Sequence, residues 1–101
     1  MRARFRDVSI AETAAAIRLK ERGLPDRFYI PRSDARVQHL ERSDRRTHCP
    51  FKGDATYYSV VVGSELAEDA VWSYEDPIPE MRAIRAYLCF DESRGVELDV
   101  E

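Results

Sequence analysis

The clearest hydrophobic pattern in the chain lies between residues 55 and 74. ATYYSVVVG (55–63) is aromatic and β-branched almost throughout, LAEDAVWSY (66–74) follows it, and Gly63-Ser64 has the composition of a two-residue hairpin turn. On the second run Ala70, Trp72 and Tyr74 share one face while Asp69, Val71 and Ser73 share the other. Near the start, RARFRDVSI (2–10) alternates arginine with Ala3, Phe5 and the Val8/Ile10 pair, the two-residue period of a half-buried strand with a turn near Asp7. AAAIRLKER (14–22) opens on alanines, yet Ile17 and Leu19 alternate with Arg18 and Lys20, and Gly23 with Pro25 ends the run early, so the pattern leans to a strand. DRFYI (26–30) is a further strand, stopped by Pro31.

Between these blocks Ser33, ahead of Asp34 to Val37, predicts a single capped helical turn. HLERS then carries the chain to THCPFKG (47–53), which reads as a loop. EDPIPE (75–80) is neither strand nor helix interior, because Pro77 and Pro79 lack amide hydrogens; Pro79 suits the first turn of a helix with Met81 and Ile84 on its apolar edge. AYLCF (86–90) and VELDV (96–100) then form a closing pair of strands around Gly95. The expected fold is mainly β: one small barrel or a tent-like arrangement of curved antiparallel sheets with one or two short helices.

Length fits one domain over residues 1–101, with room for one core and no second. The chain is 44% hydrophobic and 35% charged, and no apolar run approaches the ~20 residues that span a bilayer, so no membrane partner is expected. MRARFRDVSI is basic but lacks the apolar stretch of a secretory signal, which points to the cytoplasm and to Cys49 and Cys89 as reduced thiols. Charge is uneven: residues 1–50 hold 12 basic side chains against 7 acidic, and residues 51–101 hold 4 against 12. A basic surface formed by Arg42, Arg45 and Arg46 is one reading; two halves that interleave and pair their charges is the commoner outcome in a small domain.

THCPFKG holds the candidate chemistry. His48, Cys49 and Lys52 are the candidate catalytic residues, and Lys52 is one of only two lysines. Cys49 precedes proline and is therefore biased to extended backbone, where neighbouring side chains diverge, so His48 and Cys49 are not a nucleophile–base pair by adjacency. Lys52, three residues on across the Pro50–Gly53 bend, can swing its ammonium towards the sulfur or towards an anion. Against this, free cysteines are commonly buried structural groups and histidines are commonly satisfied by backbone. For metals, His39, His48, Cys49 and Cys89 contain no pair with zinc half-site spacing, so no metal site is expected; the sequence leaves any cofactor unknown.

A second constellation is aromatic. Tyr57 and Tyr58 on one strand and Trp72 and Tyr74 on its partner form either a core cluster or, as Tyr58, Trp72 and Tyr74, the walls of a site for a flat ligand beside Lys52. Arg32 and Asp34 of YIPRSD are either a surface ion pair or a grip in which Arg32 takes a carboxylate or phosphate at two points.

YIPRSD (29–34), SD (43–44), THCPFKG, YY (57–58), DAVWSY (69–74) and DPIPE (76–80), in that order over nearly the whole chain, resemble the family known as domain of unknown function 427. The resemblance implies a compact β-rich fold of a barrel or tent type, and names no reaction. That family has also carried a nucleotidyltransferase label. Such enzymes follow a Gly-Ser turn, about a dozen residues on, with two carboxylates separated by one intervening residue that hold magnesium. Here Gly63-Ser64 is followed by Glu68-Asp69, adjacent residues that face opposite sides of a strand unless a bulge intervenes.

Three functions follow: a module binding a small anionic molecule through Lys52 and Arg32, an enzyme using Cys49 as nucleophile or redox centre, and an interaction protein that forms a homodimer through a sheet edge, its acidic tail meeting the arginine-rich front half. Nucleic acid ranks last, since net charge is −3 and no recognition motif is present.

Overall fold

A computed structural model describes residues 1–100 and shows two antiparallel sheets that curl without closing into a barrel. The strands are β1 (Arg2–Phe5), β2 (Val8–Glu12), β3 (Ile17–Leu19), β4 (Arg27–Ile30), β5 (Leu40–Cys49), β6 (Gly53–Val62), β7 (Glu65–Ser73), β8 (Leu88–Phe90) and β9 (Glu97–Asp99). One sheet runs β2-β1-β9 and the other β3-β4-β8-β7-β6-β5. Among the described residues the helical content is four short 3₁₀ segments, Arg32–Asp34, Val37–His39, Pro79–Ile84 and Glu92–Arg94. Among the described residues no helix is long and apolar enough to cross a membrane.

The larger sheet is apolar on both faces, and the two-residue period of its strands divides them. Towards the smaller sheet, Ile30, Tyr58, Val60, Val71, Leu88 and Phe90 pack on Ala3, Phe5, Ile10 and Val96 to form the main core. On the other face Tyr29, Ala55, Tyr74 and Cys89 gather with Ile84 of the Pro79–Ile84 segment, and Cys49, Tyr57 and Trp72 lie half-buried at their edge. Deep burial of a few side chains of this size contributes roughly 1.5–3 kcal/mol each, so both faces stabilise the central strands.

The turn expected near Asp7 is present, at Arg6 and Asp7, both with positive φ, and it folds residues 2–10 into a hairpin of two strands. Several elements differ from the sequence expectation. Thr47, His48 and Cys49 belong to β5, so only Pro50, Phe51 and Lys52 remain as the turn before β6. Ser33 caps no helix: it lies inside a 3₁₀ turn entered from Pro31, with no side-chain cap. The 86–90 and 96–100 segments are not partners. β8 is buried on both faces and sits between β4 and β7, whereas β9 pairs with β1.

The charge asymmetry resolves by interleaving. Arg4 meets Glu97 and Asp99, Arg6 meets Glu65, and Arg32 and Arg42 both meet Glu75, each bond joining the basic first half to the acidic second.

Both neighbours of β6 bulge against it. Between Arg42 and Arg46 the pairing of β5 slips by two residues opposite Tyr57, and β7 does the same opposite Ser59, where Asp69 takes φ 53. The cleft between these bulges, about 310 Å³, is lined by Glu41, Ser43, Asp44, Glu68 and Asp69 among others. A bulge therefore does intervene at Glu68-Asp69, although no group of three His, Cys, Asp or Glu side chains among the described residues is arranged to hold a metal ion.

Candidate functional site

The register of β6 with β7 decides which candidate side chains meet. Thr56 lies opposite Ser73, Tyr57 opposite Trp72 and Tyr58 opposite Val71. Directly opposed residues of an antiparallel pair share a face, so Tyr58 points to the main core with Ser73 and Thr56, while Trp72 points the other way with Tyr57. The candidate residues thus divide into two neighbourhoods on opposite faces of the larger sheet.

The first is a network at the rim of the main core. Arg32, leaving β4 just after Pro31, donates from Nε to the Ala86 carbonyl at 3.1 Å, from Nη1 to the Tyr58 hydroxyl at 3.2 Å, and from Nη2 to Ser73 Oγ at 3.3 Å and Glu75 Oε2 at 3.2 Å. Arg42, opposite Tyr58 on β5, donates to the same hydroxyl at 3.4 Å and to Glu75 Oε1 at 3.3 Å. Thr56 Oγ1 also donates to Glu75 Oε1, at 3.4 Å. The Tyr58 hydroxyl in turn donates to Glu75 Oε2 at 2.5 Å. Both guanidiniums also lie over the Tyr58 ring, at 5.3 and 5.9 Å.

Electrostatics at Glu75 follow from these contacts. Burial works against its ionisation, but the hydrogen bond from Tyr58 and the charges of Arg42 and Arg32 outweigh it and hold the carboxyl below its ordinary range. Ala86 adds a second sign of constraint. It holds φ 63, a conformation that costs an alanine roughly 1–2 kcal/mol, and there its carbonyl accepts from Arg32 while its amide donates to the Tyr74 carbonyl at 2.9 Å. Asp34 takes no part in this network; it accepts from Thr13 Oγ1 at 2.7 Å.

The second neighbourhood surrounds the turn from β5 to β6. Lys52 N donates to the Cys49 carbonyl at 3.1 Å, and the Lys52 carbonyl accepts from Ile78 N at 2.9 Å, which docks the turn against the Asp76–Ile78 backbone. Gly53 supplies the backbone conformation that the turn needs. Its φ is +121°, and a Cβ there would stand 3.4 Å from the Asp76 carbonyl oxygen and Pro77 Cα. So held, Lys52 turns inward: it is 5% exposed, its Nζ lies 2.8 Å from Glu21 Oε1 on the β3–β4 connection, and Cys49 Sγ is 4.0 Å away. Phe51, the next residue back, projects outward and is 71% exposed.

His48 points away from this group. Its Nδ1 lies 2.7 Å from Oδ1 of Asp54, the residue opposite it on β6, and both side chains are exposed. Trp72 donates from Nε1 to the Tyr29 hydroxyl at 3.2 Å and carries the Arg27 guanidinium 5.1 Å above its ring; Tyr57 carries Arg45 at 4.7 Å. Tyr74 lies deeper, beside Tyr29, and burial raises the pKa of both phenols. Burial also pushes the Cys89 thiol up to about 12, leaving it a neutral group under the sheet.

Of the sequence candidates, then, Arg32 and Tyr58 come together, and so do Lys52 and Cys49, with Trp72 and Tyr74 on the same face as the latter pair. Arg42, noted from the sequence only as part of a basic surface, completes the first site with Glu75, Thr56 and Ser73, and Glu21 completes the second; the last four were not singled out from the sequence. Glu75 carried a usable signal: it directly follows Tyr74 and precedes Asp76-Pro77, where the chain must leave β7, so its side chain was free to turn back across the sheet end.

The chain belongs to the family described as domain of unknown function (DUF427), whose model matches residues 1–101. No curated protein matches it.

Proposed function

We propose that the protein is a binding module for a small molecule bearing a carboxylate or phosphate, and that Arg32 and Arg42 receive it. The carrying observation is the convergence of two guanidiniums on one carboxylate and one phenol, Glu75 and Tyr58. Glu75 neutralises one of the two positive charges and leaves the other available at a half-exposed rim. Arg32 is fixed by four hydrogen bonds, so little side-chain entropy remains to be lost when an anion arrives. Arg42, more than half exposed, supplies the accessible fork.

Lys52 is the weaker anion receptor. Its ammonium is buried and engaged by Glu21, so an incoming anion must displace that carboxylate first. Trp72 and Tyr74, on the other face, are not walls of the arginine site. The test is thermal melting at low salt with phosphate and with a panel of mono- and dicarboxylates. A ligand at 100 times its dissociation constant stabilises by about 2.7 kcal/mol, an easily read shift. Arg42→Gln removes the shift and Lys52→Met keeps it; the reverse pattern, or no stabilising anion at all, overturns the reading.

A second reading, an enzyme using Cys49, has the 4.0 Å approach of the Lys52 ammonium in its favour. It ranks lower because His48, the residue that would serve as base, is turned towards Asp54. The third, dimerisation through the exposed edge of β5, ranks last: the bulge at Ser43–Arg45 and three arginines interrupt the ladder that a second copy would extend.

A further inference from the structure

The geometry points to Cys49 and Lys52 as a modification site: peroxide oxidises the Cys49 thiol, and the Lys52 amine then closes a sulfur–nitrogen cross-link over the β5–β6 turn. Three observations carry it. The turn is short and closed by the Lys52 N to Cys49 carbonyl bond, so the lysine side chain folds back over the strand end it has just left. Nζ is 4.0 Å from Sγ and 5% exposure leaves the lysine little room to wander, so nucleophile and target are held together. Cys49 itself is only half-buried, so a molecule as small as hydrogen peroxide can reach the sulfur. Glu21 Oε1 lies 2.8 Å from Nζ, where a base is needed.

The steps balance. The Cys49 thiol and hydrogen peroxide give a sulfenic acid and one water, the sulfur being oxidised and the peroxide reduced. Glu21 takes a proton from the Lys52 ammonium, and the freed amine attacks the sulfenic sulfur. The nitrogen–sulfur bond forms as the sulfur–oxygen bond breaks, and the departing hydroxide leaves as a second water with one of the two amine protons, the other staying on the nitrogen. Glu21 then returns its proton to solvent, having lost the cation it was paired with. The cross-link therefore also releases the β3–β4 connection from the turn. This site lies on the opposite face from the arginine pair and stands whether or not that pair binds an anion.

The experiment is peroxide titration of the folded protein, read by intact mass and tryptic mapping. Wild type and Cys89→Ala are both expected to lose about 2 Da and to regain it with dithiothreitol. Trypsin does not cut at a modified lysine, so the peptide beginning at Thr47 should run through Lys52 to Arg82. Lys52→Arg should instead accumulate the sulfenic acid, trapped by dimedone, or the sulfinic acid. Loss of the mass change in Cys89→Ala would mean a disulfide and overturn the proposal. So would direct passage of wild-type Cys49 to the sulfinic acid with Lys52 still cleavable, or no reaction at Cys49. The wild-type peptide map decides the question even if Lys52→Arg does not fold.

Discussion

The Tyr58 hydroxyl donates to Glu75 Oε2 at 2.5 Å while accepting from Arg32 and Arg42. One phenol thus orders three charged groups from three separate parts of the chain, and its ring is itself held in the main core. The polar site is anchored by the hydrophobic one: Tyr58 cannot move without disturbing both.

Tyr58→Phe keeps the ring and removes the hydroxyl. Glu75 loses its shortest hydrogen bond, and the two guanidiniums lose an acceptor. A hydrogen bond to a charged group contributes about 1.5–3 kcal/mol, and half-exposure places this one near the lower figure. For a domain of this size about 1.5 kcal/mol corresponds to a fall in melting temperature of roughly 6–12 °C. Thermal unfolding at pH 7 measures it, and a fall of under a degree or two would show the network to be solvated and slack.

Acid should act through Glu75. Its carboxyl is held below the ordinary value of 4.5 in the folded protein, so the unfolded chain takes up this proton first as pH falls. The stability it contributes is fully present well above pH 4.5 and is lost as pH falls from there through the folded value. Urea unfolding of wild type and Glu75→Gln between pH 3 and pH 7 separates this group from other carboxylates. The gap between the two proteins should be widest at neutral pH and narrow in acid; a gap independent of pH would exclude the mechanism.

Tyr58 and Trp72, grouped from the sequence as walls of one site, face apart, and parity alone would have shown it. A two-residue turn at Gly63-Ser64 places Val62 opposite Glu65, and counting back puts every even residue of β6 opposite an odd one of β7. The bulge at Asp69 shifts the register by two residues, which preserves that parity, so Tyr58 and Trp72 face apart with or without it. The strand character of 55–74 was equally plain, because aromatic and β-branched side chains dominate it. β5 was hidden for the opposite reason. As an edge strand with a bulge at its middle, LERSDRRTHC shows no sustained alternation, and its pairing comes from β6 alone. β8, buried on both faces, has no polar face to reveal its partners. The Arg42–Glu75 and Lys52–Glu21 pairs join residues that are distant in sequence, and only the assembled sheet brings them together.

Gly53→Ala should be costly where Gly23→Ala is mild. Both glycines have positive φ, but +79° at Gly23 lies near the left-handed well an alanine can enter, whereas +121° at Gly53 lies well outside it; the added Cβ itself would meet the Asp76 and Pro77 backbone only at van der Waals distance, 3.4 Å. The expected losses are about 3 kcal/mol for Gly53→Ala and about 1 kcal/mol for Gly23→Ala. Denaturant unfolding of the two variants compares them directly. Equal losses would mean that the turn relaxes to a φ that alanine tolerates.

The two thiols should behave as different chemical species. Cys89 is 1% exposed and its thiol is raised to about 12, so in the folded protein a thiol reagent at neutral pH should modify Cys49 alone. Cys89 should become reactive only on unfolding. The same burial makes a prediction for alkaline stability. In the unfolded chain Cys89 ionises near its ordinary value of 9.0, but in the folded protein it stays protonated until far higher pH. The unfolded state therefore loses its proton first as pH rises. The stability contributed by the neutral thiol is whole below pH 9 and declines above it by up to about 1.4 kcal/mol per pH unit. Tyr29 and Tyr74 add losses of the same sign only beyond their ordinary value of 10, so the window from pH 8 to pH 10 isolates the cysteine. Urea unfolding across that window should show wild type losing stability faster than Cys89→Ala, which has no thiol to ionise. Parallel pH profiles would mean that water reaches the sulfur beneath the sheet.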